Sequence, residues 1–169
     1  MSFEITTEFL EKLTSYIEGS KNKPIIGLFE EMHYADVAEI LDELSFDKVV
    51  YIIKLLNSEK TSAVLMELDE DIREKILQNL SAKEIAEEVE ELDSDDAADI
   101  IGELSEERQE AVMSQIEDEE HVKEIEELLA YDEDSAGGLM AKELVKVNEN
   151  WNVLTCVKEM RIQAENISR

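Results

Sequence analysis

Aliphatic residues recur every twelve positions through most of this 169-residue chain, and that period constrains the fold more than any other feature. One column reads Leu44, Leu56, Leu68, Leu80, Leu92, Leu104, Ile116 and Leu128. A second, three residues earlier in each unit, reads Leu41, Ile53, Leu65, Leu77, Val89, Ile101, Met113 and Ile125. A third adds Ile40, Ile52, Val64, Ile76, Ile100 and Val112, and lapses at Glu88 and Glu124. Within a unit the three columns stand at i, i+1 and i+4, which gathers them on one stripe of an α-helix. Directly after the Leu column come Ser45, Asn57, Asp69, Ser81, Asp93 and Ser105, residue types whose side-chain oxygens accept the free N–H groups at a helix start. Each unit is therefore expected to be a short helix, closed by its Leu and followed by the cap of the next. Ser81-Ala-Lys-Glu84 also fits a capping box.

A helix of about ten residues is roughly 15 Å long and marginal in water by itself. Its aliphatic stripe must be buried against neighbouring helices. Short turns make consecutive helices antiparallel, so the expected fold is all-α, a superhelical solenoid of short antiparallel helices with a repeat of twelve residues. The hand of the coil does not follow from the pattern.

Charge narrows the partners. Asp and Glu number 44 against 16 Lys and Arg, for a formal charge of −28, while 43% hydrophobic content is enough for a core. Such a surface disfavours nucleic acid and acidic lipid, which need basic groups, and suits divalent cations or basic protein surfaces. It equally serves as a solvated acidic exterior. Cys156 stands alone, so no intramolecular disulfide is expected and a reducing cytoplasm fits. The start, Met1-Ser-Phe-Glu-Ile5, has no basic segment leading into an apolar run, and no stretch approaches the length of a membrane span. The chain as given is expected to be soluble.

The first helix is expected from near Glu4 to Glu18, ended by Gly19-Ser20, with Pro24 in the first turn of the second. The regular array should run from Tyr34 to Ala130. Beyond it, Tyr131-Asp-Glu-Asp-Ser-Ala-Gly-Gly-Leu-Met140 reads as a loop. Leu144-Val-Lys-Val147 reads as a short strand, followed by a helix capped by Asn152 and carrying Val153, Leu154, Val157 and Met160. A lone strand has no ladder partner, so the expectation is a second domain cut short, or a strand paired with another copy.

Few residues suggest chemistry. Asp132, Asp134, Gly137 and Glu143 occupy four places of a calcium-loop pattern, but Ala136 stands where a ligand is needed. Gly137 and Gly138 suit a tight backbone path. His33 and His121 have no ligand-spaced His or Cys neighbours, which argues against zinc. No nucleophile–base arrangement or phosphate-cradling glycine loop stands out, so no enzymatic activity is expected. The most pointed cluster is Asp93-Ser-Asp95-Asp96-Ala-Ala-Asp99. Asp95 and Asp99 are one turn apart on a helix face, where like charges destabilise unless a cation intervenes. Two carboxylates with water completing the shell suit Mg²⁺. Acidic groups near a helix start also complement its positive end, and the residue types leave both readings open.

Asp95-Asp-Ala-Ala-Asp-Ile-Ile-Gly-Glu-Leu104 and Leu128-Leu-Ala-Tyr-Asp-Glu-Asp-Ser-Ala-Gly-Gly-Leu-Met140 resemble the cytosolic part of MgtE-type magnesium transporters, and the resemblance spans essentially the whole chain. It implies a superhelical N domain over residues 1–130, a Gly-containing connector over 131–142, and over 143–169 the opening of a first CBS domain. The pore domain and most of the CBS pair would lie outside this sequence. The family function is a Mg²⁺-gated channel, a homodimer at the cytoplasmic face of the cell membrane, whose N and CBS domains are bridged by cytosolic Mg²⁺ in the closed state. On the family motif, Asp95 and Asp99 match acidic Mg²⁺ ligands, and the backbone at Gly137 or Gly138 matches a carbonyl contributor. The partners implied are the chain's own CBS and transmembrane domains. The alternative is an acidic helical-repeat scaffold for protein interaction, like the flagellar rotor protein that also stacks short acidic helices. That reading predicts neither the strand-like continuation nor the Gly-Gly-Leu-Met junction.

Overall fold

Two helices lead into the repeat, α1 (Thr7–Glu18) and α2 (Asn22–Phe29), and from there a helix begins every twelve residues. In this computed structural model, which describes residues 5–132, 135–140, 142 and 144–164, the repeat comprises α3 (Tyr34–Asp42), α4 (Phe46–Ile53), α5 (Ser58–Glu67), α6 (Glu70–Leu77), α7 (Ala82–Val89), α8 (Ser94–Gly102) and α9 (Glu106–Met113). Then follow α10 (Glu119–Leu129) and α11 (Val153–Gln163), and the described residues contain eleven helices and no strand. Pro24 falls in the first turn of α2, and Thr6 caps α1 by accepting from the Phe9 N–H. The expected residues do precede the repeat helices, but they work in two ways. Asn57 accepts from the Lys60 N–H at 3.0 Å, and Ser81 accepts from the Glu84 N–H at 3.2 Å. Ser45, Asp69 and Ser105 hold the same position without a side-chain cap bond. At those three starts acidic residues in the first turn, Asp47, Glu70 with Asp71, and Glu106 with Glu107, complement the positive end of the helix.

Five members of the Leu column end their units by a repeated device. The N–H groups of Leu44, Leu68, Leu80, Leu92 and Leu104 donate to the carbonyls of Leu41, Leu65, Leu77, Val89 and Ile101, three residues back. This tightened last turn satisfies one terminal carbonyl and tucks Leu68, Leu80 and Leu104 into the interior. The second and third columns are buried throughout α3 to α8, Glu88 apart. Each such Ile or Leu contributes roughly 1.5–3 kcal/mol by leaving water.

A fourth column escapes inspection of the sequence because its residue types differ: Val37, Val49, Thr61, Arg73, Ile85 and Ala97. All are buried except half-buried Arg73. Its two polar members do the same job one repeat apart. Thr61 Oγ1 donates to the Ile53 carbonyl and Arg73 donates to the Leu65 carbonyl, each at 3.4 Å and each eight residues back. Both tie off a carbonyl at the end of the preceding helix.

The chain divides into two compact units, residues 1–88 and 89–169. In the first, α1 packs on α2 and α3 packs chiefly on α5. In the second, α8 packs chiefly on α10 and less on α9. The main contacts within the repeat thus join helices two apart, as in a stack whose layers are helical hairpins. No helix among the described residues is long and apolar enough to cross a membrane.

No strand forms over Leu144–Val147: the segment is irregular and exposed, with no ladder among the described residues. A ladder needs a second strand, and a side chain takes that role instead. The Gln163 amide accepts from the Lys146 N–H at 2.7 Å and donates to the Lys146 carbonyl at 2.8 Å. The helix expected after Asn152 does form, with Asn152 accepting from the Thr155 N–H at 3.0 Å. None of its residues is buried, and Val153 and Leu154 are 77% and 84% exposed.

Candidate metal-binding face

The face is built on α8, whose first turn carries Asp95 and Asp96 and whose next turn carries Asp99. Helix α8 presents Ala97, Ala98, Ile100 and Ile101 to the interior, all buried. With that stripe inward, Asp95 and Asp99 are held at the half-exposed flank, one turn apart on one face. Helix α10 packs against α8 near Gly102, where a Cβ would stand 3.8 Å from Leu129 Cδ2, in ordinary contact. Asp118 anchors the start of α10 by accepting from the Glu120 and His121 N–H groups at 2.8 and 3.2 Å. Those two bonds hold its carboxyl below the usual carboxylate range.

The connector folds back onto the first turn of α8. Buried Ser94 accepts from the Lys142 N–H at 3.3 Å, and Lys142 Nζ lies 2.8 Å from Glu127 Oε2 on α10. That ion pair raises the Lys142 pKa and lowers that of Glu127. Between these anchors the chain turns tightly, with the Gly138 N–H donating to Ser135 Oγ at 3.1 Å. Gly137 is required by close approach. A Cβ there would stand 2.5 Å from Tyr131 Cδ1, so only glycine lets the ring rest on the backbone. The tight path read from the two glycines is therefore seen at Gly137, and Tyr131 is the reason for it.

Asp95 and Asp99 thus share a face as their spacing requires, and the connector bearing Gly137 and Gly138 is tied to Ser94, the residue before Asp95. Among the described residues no group of three or more His, Cys, Asp or Glu side chains gathers around one point. The donor set is two hard oxygens, which fits a cation that keeps most of its water, as Mg²⁺ does, and not a closed zinc site. The calcium-loop pattern cannot be followed here, because Asp134 and Glu143 lie outside the described residues. His33 caps α3 through Nδ1, 3.3 Å from the Ala35 N–H, and His121 Nε2 lies 3.3 Å from the Val89 carbonyl. Both bonds are to backbone. The tie between Lys142, Ser94 and Glu127 went unread in the sequence, since it joins residues up to 48 positions apart with no motif to mark them.

Fold and face together define a helical-repeat domain of acidic hairpins with a carboxylate pair beside its connector. Residues 32–134 match the family of the MgtE intracellular N domain, and the chain belongs to that family. Two solved structures are similar over nearly the whole chain. One is the cytosolic domain of the Mg²⁺ channel MgtE in complex with ATP, at 27% identity and a TM-score of 0.84, covering 95% of this chain and 65% of that one. The other is the soluble part of a magnesium transporter, at 20% identity and a TM-score of 0.77, covering 96% and 64%. At that lower identity the likeness shows the fold alone. The chain spans slightly less than two thirds of the length of either structure. Among curated proteins none matches the sequence.

Proposed function

We propose that this chain is the cytosolic, Mg²⁺-responsive part of a magnesium transporter or channel, lying at the cytoplasmic face of the membrane. The observation that carries the reading is the half-exposed pair Asp95 and Asp99 on one face of α8, in a chain of the MgtE intracellular N-domain family. In this reading Asp95 and Asp99 supply carboxylate oxygens to Mg²⁺, and the backbone near Gly137 or Gly138 supplies a carbonyl. Bound Mg²⁺ supplies the positive charge that lets acidic faces approach. Without it, a chain at −28 repels any acidic surface brought against it, and the parts separate. The closed state of the pore is then the cation-loaded one. Family membership favours this over the interaction-scaffold alternative.

Residues 143–169 are read as the opening of a CBS domain within a homodimeric protein, the further partners being its CBS and membrane domains. Two features support this. Val153, Leu154, Val157 and Met160 form an exposed apolar face on α11, and Lys146 presents backbone groups that a side-chain amide occupies. Such a surface suits a further layer of the same protein.

The test uses the full-length protein. Its melting temperature should rise more with Mg²⁺ than with Na⁺ at equal ionic strength, because binding to the folded state stabilises by mass action. Replacing Asp95 and Asp99 together by Asn should remove most of that excess. A double variant that keeps the whole Mg²⁺ response would sink the assignment and leave the pair as helix-start charges.

A further inference from the structure

We propose that the groove formed by α2, α3 and α5 in the first unit docks a basic amphipathic helix of a partner protein. The groove encloses about 560 Å³ and is walled by Ile26, Phe29, Tyr34, Leu55, Leu56 and Ala63. Leu56 is only half-buried in its wall, as Leu44 and Leu92 of the same column are elsewhere, while Leu68, Leu80 and Leu104 are covered. Ile26 and Tyr34 are also left 39% and 38% exposed at its mouth. A core-type position and two large side chains therefore face an opening that their own unit does not fill.

Charge selects the occupant. The groove's ionisable lining is Glu30, Glu59 and Lys60, and the Lys60 ammonium donates to the Met32 carbonyl. Lys60 keeps its charge, and the two carboxylates outnumber it, so the rim carries a net negative charge. Against this rim, in a chain at −28, Lys or Arg flanking aliphatic anchors is attracted. The walls are helices and give no strand edge, so a bound segment must satisfy its own backbone, as a helix does.

The probe is an 18-residue helical peptide of Leu and Lys, fluorescently labelled, and its control has every Leu replaced by Ser at the same charge. Anisotropy is read with the whole chain at physiological salt. The Leu peptide should bind at least about tenfold more tightly than the Ser peptide, and Ile26→Ser with Tyr34→Ser should remove most of that preference. Ala63→Lys should do the same by placing a cation inside the groove, with no side chain truncated. A control pair, Val153→Ser with Leu154→Ser, removes exposed apolar surface elsewhere and should leave the preference intact. Equal binding of both peptides, or loss of preference only in the α11 pair, would overturn the proposal. So would a dimer of the unliganded chain in sedimentation that Ala63→Lys abolishes, because the occupant would then be a second copy. None of these outcomes depends on Mg²⁺.

Discussion

Removing the Glu84 carboxylate should cost the protein about 1–2 kcal/mol at neutral pH, and nearly nothing near pH 2. Glu84 sits at the start of α7, where three bonds converge on it. The Ser81 N–H donates to Glu84 Oε2 at 2.7 Å, the Glu84 N–H donates back to Ser81 Oγ at 3.2 Å, and Lys54 Nζ lies 2.9 Å from Glu84 Oε1. Hydrogen bonding to the carboxylate from the Ser81 backbone N–H, then from the Ser81 side chain and Lys54, lowers its pKa from 4.5 to about 2. Taken whole, that displacement corresponds to roughly 3 kcal/mol. The side chain is 39% exposed, and solvent screening brings the figure to about 1–2 kcal/mol. A lost reciprocal cap by itself accounts for about 1 kcal/mol of that.

The sign follows from linkage. An acid whose folded pKa is depressed contributes its stability above the unfolded pKa of 4.5 and loses it as pH falls toward 2. Denaturant unfolding followed by far-ultraviolet circular dichroism, at steps from pH 7 to pH 2.5, measures the gap between Glu84→Ala and the parent chain. Only the gap is informative, because protonating 44 acidic residues relieves general repulsion in both proteins alike. Glu84→Gln should fall between them, since an amide oxygen can still accept from the Ser81 N–H while the charge toward Lys54 is gone. If Glu84→Ala lies within about 0.3 kcal/mol of the parent at pH 7, or if the gap is as wide at pH 2.5, the capping argument fails.

Asp42→Asn should have the opposite sign. Partial desolvation and the charges of Asp69, Glu43 and Glu39 raise the Asp42 pKa, so its ionised form opposes folding. The variant should gain roughly 0.2–0.5 kcal/mol at neutral pH and low salt, a gain that shrinks as pH falls through the raised pKa or as salt is added. Gly137→Ala should loosen the connector, seen as faster exchange of the Lys142 amide, and Tyr131→Ala in the same chain should restore it by removing the ring that the new methyl meets. Gln163→Leu should speed exchange of the Lys146 amide while leaving that of Leu104 unchanged, since the amide bond to Gln163 is its cross-segment partner.

What was legible in the residues was whatever repeats. Seven helix starts, from Tyr34 to Glu106, fall on the twelve-residue period, and from Phe46 onward each follows a Leu and a turn-favouring residue. The period slips once, and for a reason no pattern reveals. Asp118 rather than residue 117 caps α10, and the extra position, Glu117, donates its N–H to the Glu90 carboxylate. Over Leu144–Val147, β-branched alternation states only what a segment can pair with, and no ladder forms on it among the described residues. The Gln163 amide, seventeen residues away, took that place.

The candidate site divides along the same line. Asp95 and Asp99 follow from spacing on one helix, which is local geometry. The anchoring of the connector on Ser94 and Glu127 arises from three-dimensional packing of α8 on α10, and a single lysine contributes both bonds. That matters for function, because Lys142 is a cation built into the edge of an acidic face. Its ammonium pairs with Glu127 and its backbone N–H donates to Ser94, so both contacts are made by the chain itself. A cation at Asp95 and Asp99 would act on a connector already held against α8, so its effect should fall on what this face meets and not on whether the face forms.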